Sequence, residues 1–150
     1  MEYEVVIDTV EKQLVAAARQ WTTFAAISRE IGPLLDGPWA FLREHPGLRA
    51  DGHNVAIYWD HANGGSIEVG VQVVRPFDET DVVVCSATPG GTVARTAHYG
   101  PYDQLGAAHD AVLGWCREHG HQTILPFWEI YGDWDDDPAK LRTDVLYLLK

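Results

Sequence analysis

The stretch FLREHPG at residues 41–47 returns as WCREHG at residues 115–120, an offset of 74 positions. A second echo follows in the same order, because AIY at residues 56–58 is answered by EIY at residues 129–131, an offset of 73. A third pairs the apolar segment that begins at Glu4 with one 77 positions later. Offsets near half of a 150-residue chain predict that the chain consists of two copies of one structural unit.

We place the first copy at residues 1–75 and the second at residues 76–150, within a single domain. Each copy contains two β-rich segments, an amphipathic helical pattern and two further β-rich segments. Pro33 is predicted to end or kink the first helix. The predicted fold class is α+β, a pseudo-twofold tandem repeat with an antiparallel sheet, helices packed on it and a central cleft between the copies.

The charge balance limits the possible partners. The chain has 11 Lys and Arg against 22 Asp and Glu, a formal net charge of −11. This balance argues against binding to nucleic acid or to an anionic membrane surface. No apolar run is long enough for a transmembrane helix, and the acidic N-terminus lacks the basic region of a signal peptide. Cys85 and Cys116 have no metal or redox spacing, so we expect reduced thiols in a cytoplasmic protein.

The segment FWEIY at residues 127–131 carries the most informative pattern. Strand alternation places Phe127, Glu129 and Tyr131 on one face. A buried carboxylate there would be costly without a partner, and a ligand cation over the rings would supply one, at about 0.5–2 kcal/mol per cation–π contact. The alternative is a glutamate that faces solvent or pairs with an arginine.

The repeat adds candidate residues from the other half of the chain. Tyr58 is the counterpart of Tyr131, and Glu68 is the counterpart of Asp144, so both copies are expected to line the cleft. Further aromatic candidates for the cleft are Tyr147, Tyr99, Tyr102 and Trp59. Each tryptophan, taken alone, is better explained as a core residue.

Metal and catalytic motifs are weak. His119 and His121 lack a third ligand at a recognisable spacing, and the acidic segment at 133–137 has Pro138 where a calcium loop needs glycine. We therefore predict no metal site. No glycine-rich phosphate loop or nucleophile elbow occurs, although Glu129 and a tyrosine could act as a general acid–base pair.

Several motifs together resemble the GyrI-like small-molecule-binding family, which includes the effector-binding domains of AraC-type and BmrR-type regulators. They are PGGTVA at residues 89–94, HYGPY at 98–102, EIY at 129–131 and RTDV at 142–145. The resemblance covers roughly residues 3–149.

This resemblance implies a domain that binds hydrophobic, often cationic compounds in a central cleft, as in multidrug binding. Glu129 matches the glutamate that contacts the ligand in such domains, and Tyr58, Tyr131 and Tyr147 match aromatic positions around the cleft. Because the chain has no residues for a helix-turn-helix, we expect a stand-alone binding protein used for sensing or sequestration, with no cofactor.

Three alternatives remain open. Some stand-alone relatives hydrolyse reactive compounds with the same glutamate and tyrosines, which here are Glu129 and Tyr131. An interaction protein that inhibits DNA gyrase is a second reading, in which the acidic surface imitates DNA. The related haem-binding SOUL fold is the third, although the histidines offer no specific haem signal. A homodimer through the strand at residues 143–149 is also permitted.

Overall fold

The computed structural model describes residues 3–60 and 64–150, which form an eight-stranded antiparallel sheet and two α-helices. The strands are β1 (Val6–Val10), β2 (Gln13–Thr23), β3 (Asn54–Tyr58), β4 (Gly64–Gln72), β5 (Val84–Thr88), β6 (Gly91–Tyr99), β7 (Thr123–Tyr131) and β8 (Arg142–Leu149). The helices are α1 (Phe24–Glu44) and α2 (Leu105–Glu118), with short 3-10 helices at Tyr102–Gln104 and Pro138–Lys140. The predicted α+β class is confirmed. Within the described ranges no helix is long and apolar enough to cross a membrane.

The order of strands in the sheet is β1-β6-β8-β7-β3-β4-β2-β5. If each of β1–β4 is exchanged with the corresponding strand of β5–β8, the order becomes β5-β2-β4-β3-β7-β8-β6-β1, which is the original order read backwards. That is the order expected when two equivalent halves meet across a twofold axis, and the axis would pass between β3 and β7. The two central strands therefore come from different halves of the chain, and any site above them is built by both.

The sheet is curled into a half-barrel, and its two faces are buried in different ways. Directly paired residues point to the same side of a sheet, so the pairing of Ala56 with Glu129 and of Tyr58 with Phe127 assigns all four to one face. We call it the helix face, because α1 and α2 pack on it through residues such as Leu35. The opposite side, the inner face, buries its own cluster across the curl: Val15, Ala17, Val55, Ile57, Val93, Trp128 and Leu146.

Helix α1 does not end at Pro33, which corrects the first of the two predictions for that residue. The helix begins at Phe24, is capped by Thr23, whose Oγ1 accepts a hydrogen bond from the Ala26 amide at 3.2 Å, and continues through Pro33 and Pro38 to Glu44. A proline in a helix deprives a carbonyl one turn earlier of its donor. Pro33 and Arg29, four residues earlier, are exposed, so water can satisfy that carbonyl while the apolar residues of the opposite side stay packed on the sheet.

One glycine marks a close approach of two strands. Gly70 lies in the middle of β4, where a Cβ atom would come within 2.0 Å of the Ala16 carbonyl oxygen on β2. No side chain can occupy that space without moving backbone. Gly70 is thus required by the pairing of β2 with β4, and this pairing joins β2 and β5 to the rest of the sheet.

Candidate functional site

A cavity of about 890 Å³ lies over the central strands, between α1, α2 and the helix face. Its position is that of the predicted cleft between the two copies. Both helices, the 3-10 helix before α2 and strands β3, β7 and β8 contribute to it. The lining residues are Ile31, Gly32, Leu35, Asn54, Tyr58, Tyr102, Asp103, Leu105, Gly106, His109, Asp110, Phe127, Glu129, Tyr131 and Tyr147.

The aromatic part of the cavity is a stack of three rings across three strands. Tyr58 on β3 pairs with Phe127 on β7, which pairs with Tyr147 on β8. Because direct cross-strand neighbours lie close together on one face, their rings stack. The ring centroids are 4.7 Å apart for Tyr58 and Phe127 and 4.8 Å apart for Phe127 and Tyr147. The register of the central strands therefore builds a continuous aromatic surface.

Glu129 lies beside this stack, and its side chain is almost fully buried, with 5% of the residue exposed. Its Oε1 accepts hydrogen bonds from the hydroxyl of Tyr131 at 2.6 Å and from the hydroxyl of Tyr58 at 3.1 Å. Its Oε2 lies 2.6 Å from Nε2 of His109. Three donors thus converge on one carboxylate, which is the arrangement that keeps a buried charge from being left unsatisfied.

His109 connects this carboxylate to the last strand. Its Nδ1 lies 2.7 Å from the hydroxyl of Tyr147, and its ring meets Phe127 edge-on with centroids 5.7 Å apart. Since an ionised Glu129 can only accept, Nε2 of His109 carries a hydrogen and donates it. The chain Glu129–His109–Tyr147 is therefore a continuous hydrogen-bonded path along one wall of the cavity.

The environment fixes the charge of Glu129 and of its phenolic neighbours. Burial by itself raises the pKa of Glu129, but the hydrogen bond and charge of His109 and the two tyrosine hydroxyls outweigh it, so the pKa is lowered. Burial, followed by the nearby Glu129 charge, raises the pKa of Tyr58 and Tyr131 well above the ordinary range and also raises that of Tyr147. The carboxylate is therefore ionised at neutral pH and the three phenols are protonated.

The wider electrostatics of the cavity are acidic. Asp103 and Asp110 also line it, and the ring of Tyr102 meets that of Tyr131 edge-on, with centroids 5.6 Å apart. Among the lining residues that the structure describes, none is lysine or arginine. The cavity thus combines aromatic side chains with carboxylates, and a cation is the ligand type that such a lining attracts.

The structure brings five of the predicted site residues together in this cavity. They are Tyr58, Phe127, Glu129, Tyr131 and Tyr147. Tyr102, a further candidate, also lines it. The sequence prediction that Phe127, Glu129 and Tyr131 share one face is confirmed by their pairing with β3 and β8.

Three other predicted residues are placed elsewhere, which corrects the expected lining. Glu68 pairs directly with Ile57, so it points to the inner face, and Trp59 follows Tyr58 and points there too. Tyr99 ends β6, pairs with Arg142 and is 50% exposed. Adjacent residues of a strand point to opposite faces of the sheet, so Trp59 points away from the cavity that Tyr58 lines, and Glu68 points away from the side of Ile67 and Val69.

Glu68 instead forms a closed cluster of its own on the inner face. Its Oε2 accepts hydrogen bonds from Nε and Nη2 of Arg19 at 3.0 and 2.6 Å. Its Oε1 accepts from the indole of Trp59 and from Ser86 Oγ. These four hydrogen bonds occupy both carboxylate oxygens of Glu68. The residue therefore links β4 to β2 through Arg19 and to β5 through Ser86.

His109 is the site residue that the sequence analysis missed. It lies four residues after Leu105 and three before Val112, which are both on the buried side of α2. That spacing places His109 at the edge of the apolar stripe of α2, and it is the one local indication in the sequence that this side chain faces the cavity. Its carboxylate partner is 20 positions away on a different element, however, and no local pattern indicates that contact.

The acidic segment at 133–137 forms local turns. Oδ1 of Asp135 accepts from the amide of Asp137 at 2.8 Å, and Oδ1 of Asp137 accepts from the amide of Ala139 at 3.1 Å. These bonds start the short helix at Pro138–Lys140. Across residues 3–60 and 64–150, no three His, Cys, Asp or Glu side chains are placed to hold a metal ion.

Comparison with solved structures identifies the fold. The C-terminal domain of EcmrR shares 19% identity with a TM-score of 0.81, and the match covers 100% of this chain and 99% of that one. SAV2435, in a structure bound to tetraphenylphosphonium, shares 12% identity with a TM-score of 0.69 and covers 100% of this chain and 94% of its own. A hydrolase from Listeria innocua shares 10% identity with a TM-score of 0.63 and covers 98% and 92%.

No family model and no curated protein sequence matches the chain. The structural likenesses therefore establish the fold, and the GyrI-like fold predicted from the motifs is confirmed.

Proposed function

We propose that this protein binds lipophilic aromatic cations in the cavity above β3 and β7, as a sensing or sequestering protein. The observation that carries the proposal is Glu129, an ionised carboxylate almost completely removed from solvent and placed beside a stack of three aromatic rings. A negative charge is costly to bury, and the contacts that a bound cation would add are strongest where water is absent.

The rest of the lining supports a cation over an anion or a neutral compound. Phe127 is stacked between Tyr58 and Tyr147, so only the outer two rings have a face left for a cation–π contact, and Asp103 and Asp110 add negative charge to the same cavity. A neutral aromatic compound would gain only the apolar contacts. An anion would meet three carboxylates, and the described lining offers no lysine or arginine to pair with it.

The size of the cavity supports a ligand with several rings. A volume of about 890 Å³ lies within the range of pockets that hold drug-sized molecules. The tetraphenylphosphonium bound by SAV2435, a protein of the same fold, has the expected chemistry, namely a delocalised single positive charge inside an aromatic shell. It is a suitable probe because it carries no proton and cannot act as a hydrogen-bond donor.

The test is an equilibrium titration of the protein with tetraphenylphosphonium and with triphenylphosphine oxide, a neutral compound of related shape. We expect saturable binding of the phosphonium at one site and clearly weaker binding of the oxide. Absence of saturable binding of the cation, or equal affinity for both compounds, would contradict the proposed preference.

Hydrolysis of a reactive compound is the second candidate function. Glu129 could accept a proton from an attacking water, while the hydroxyl of Tyr131 or Tyr58 donates one to the oxygen that leaves the electrophilic carbon. The likeness to the Listeria innocua hydrolase favours this reading. Incubation with a strained epoxide followed by mass spectrometry tests it, since hydrolysis adds one water to the compound and simple binding adds none. A gyrase partner and a homodimer stay predictions.

A further inference from the structure

We infer that binding of an organic cation in this cavity releases a proton from His109, so that proton and ligand compete for the charge of Glu129. The inference rests on the proposed function and adds a specificity-determining role for His109 and Tyr147. The site would bind cations in exchange for protons, and its affinity would depend on pH even for a ligand that has no titratable group.

The geometry allows both charge states of His109 without moving a heavy atom. Nε2 donates to Glu129 Oε2 at 2.6 Å in either state. At Nδ1, 2.7 Å from Tyr147, the neutral ring accepts the phenolic hydrogen, whereas the imidazolium donates to the phenolic oxygen. Rotation of one O–H bond therefore accommodates the change, and Tyr147 serves as partner to both forms.

The two states differ in the charge offered to a ligand. With an imidazolium, the His109–Glu129 pair is neutral, and a positive group lines the cavity beside the ligand. With a neutral ring, the carboxylate keeps its full negative charge, and its nearest partners are only polar donors. An empty buried site favours the compensated pair, and a bound cation favours the neutral ring.

The other titratable groups near His109 either keep a constant charge around neutrality or, like Asp103 and Asp110, are exposed to solvent. The lowered pKa of Glu129 and the raised pKa values of the tyrosines keep their charges constant around neutrality. The residues that α1 contributes to the cavity are not titratable. The titratable groups that line the cavity with His109 are Tyr58 on β3, Glu129 and Tyr131 on β7, Tyr147 on β8, Tyr102 and Asp103 before α2, and Asp110 on α2. Strand β6, against which α2 also packs, carries the buried His98.

His98 is held by partners of a different kind. Its Nε2 lies 3.0 Å from the Pro101 carbonyl and its Nδ1 lies 2.8 Å from the Tyr3 hydroxyl. The carbonyl accepts and the hydroxyl donates, which satisfies a neutral ring with no carboxylate involved. Within the cavity cluster, His109 is therefore the group whose charge a ligand cation can change.

The experiment is calorimetric titration with tetraphenylphosphonium in phosphate and in Tris at about pH 7.5, where both take up protons, together with the affinity measured from about pH 5.5 to about pH 8.5. The two buffers differ in ionisation enthalpy, so a released proton appears as a difference in the heat of binding. We expect release of up to about one proton per cation, and an affinity that rises by up to about tenfold per pH unit in the acidic part of the range.

Two histidine variants identify the source of the proton. His109→Gln should abolish both the buffer dependence and the pH dependence of binding. His53→Gln is the matched control, because His53 also pairs with a carboxylate, Asp133 at 3.0 Å, but lies outside the cavity. It should release protons as the wild type does. If His109→Gln does not fold, the ring NMR signals of His109 in the wild type give the same information, since the cation should shift them towards the neutral form.

The outcomes separate this inference from the proposed function. Saturable binding with equal heats in both buffers and a flat pH profile would overturn the proton exchange and leave cation binding intact. Proton release that persists in a folded His109→Gln variant would also overturn it. Absence of saturable binding by the wild type would overturn both.

Discussion

Replacing Glu129 with glutamine tests the charge of the site while keeping its shape. The amide oxygen can accept from Tyr58 and Tyr131 in place of Oε1, and the amide nitrogen can donate to Nε2 of His109. His109 would then carry its hydrogen on Nδ1 and donate to Tyr147. Because each hydrogen bond has a neutral equivalent, we expect Glu129→Gln to fold and to change stability by only about 1 kcal/mol.

The expected loss of affinity follows from the distance at which a shielded cation can approach. The aryl groups of tetraphenylphosphonium keep its centre roughly 6–8 Å from the carboxylate, and at an effective dielectric constant of about 20 the lost attraction is about 2–3 kcal/mol. This corresponds to a Kd increase of about 30- to 150-fold for the phosphonium. For neutral triphenylphosphine oxide the Kd should change by less than about threefold.

The assay is titration of wild type and Glu129→Gln with both compounds, alongside thermal unfolding. Glu68→Gln is the matched control, since it removes another buried carboxylate, one that is bound to Arg19 at 2.6 Å on the inner face and lies outside the cavity. It should lower the Tm but leave the phosphonium affinity unchanged. Equal affinity of wild type and Glu129→Gln for the phosphonium would refute the charged-site argument. Equal losses for both compounds would mean that Glu129 acts through shape.

Further predictions concern the same network, the fold and the partners. Tyr131→Phe keeps the ring and removes one donor to the carboxylate, so titration should show a smaller loss of phosphonium affinity than Glu129→Gln, about three- to tenfold. The folded pKa of Glu129 lies below its ordinary value of 4.5, so its stabilising contribution is complete above that value and is lost as pH falls through the folded pKa. Urea unfolding across this acidic range should show a shallower loss of stability in Glu129→Gln. Gly70→Ala would place a Cβ 2.0 Å from Ala16 O and should prevent folding or lower the free energy of unfolding by about 3 kcal/mol or more, whereas Gly114→Ala in α2 should raise it by up to about 1 kcal/mol, both measured by denaturant titration. With a net charge of −11, the chain should not shift duplex DNA in a gel at physiological salt, and a salt-sensitive shift would contradict this expectation.

Local patterns in the sequence were sufficient for most of the helices and strands and for one face of the site. Alternation over residues 127–131 has a period of two, which any strand obeys, so Phe127, Glu129 and Tyr131 were assigned to one face before their partners were known. The repeat at offsets near 75 predicted that Tyr58, as the counterpart of Tyr131, would line the same cleft, and it donates to Glu129 from 71 positions away. The motifs shared with the GyrI-like family predicted the fold.

Other features depended on contacts between distant parts of the chain. Whether Glu68 joins Glu129 or faces away is decided by the register of β4 on β3, and a shift of one residue would exchange the two faces. The continuation of α1 through Pro33 depends on its packing against the sheet, which outweighs the local penalty of proline. His109 reaches Glu129 on β7 only because α2 packs on β6 and β8 beside that strand. Periodicity reports which side of an element is buried, but the partner on that side is chosen by register and packing, which are properties of the folded chain as a whole.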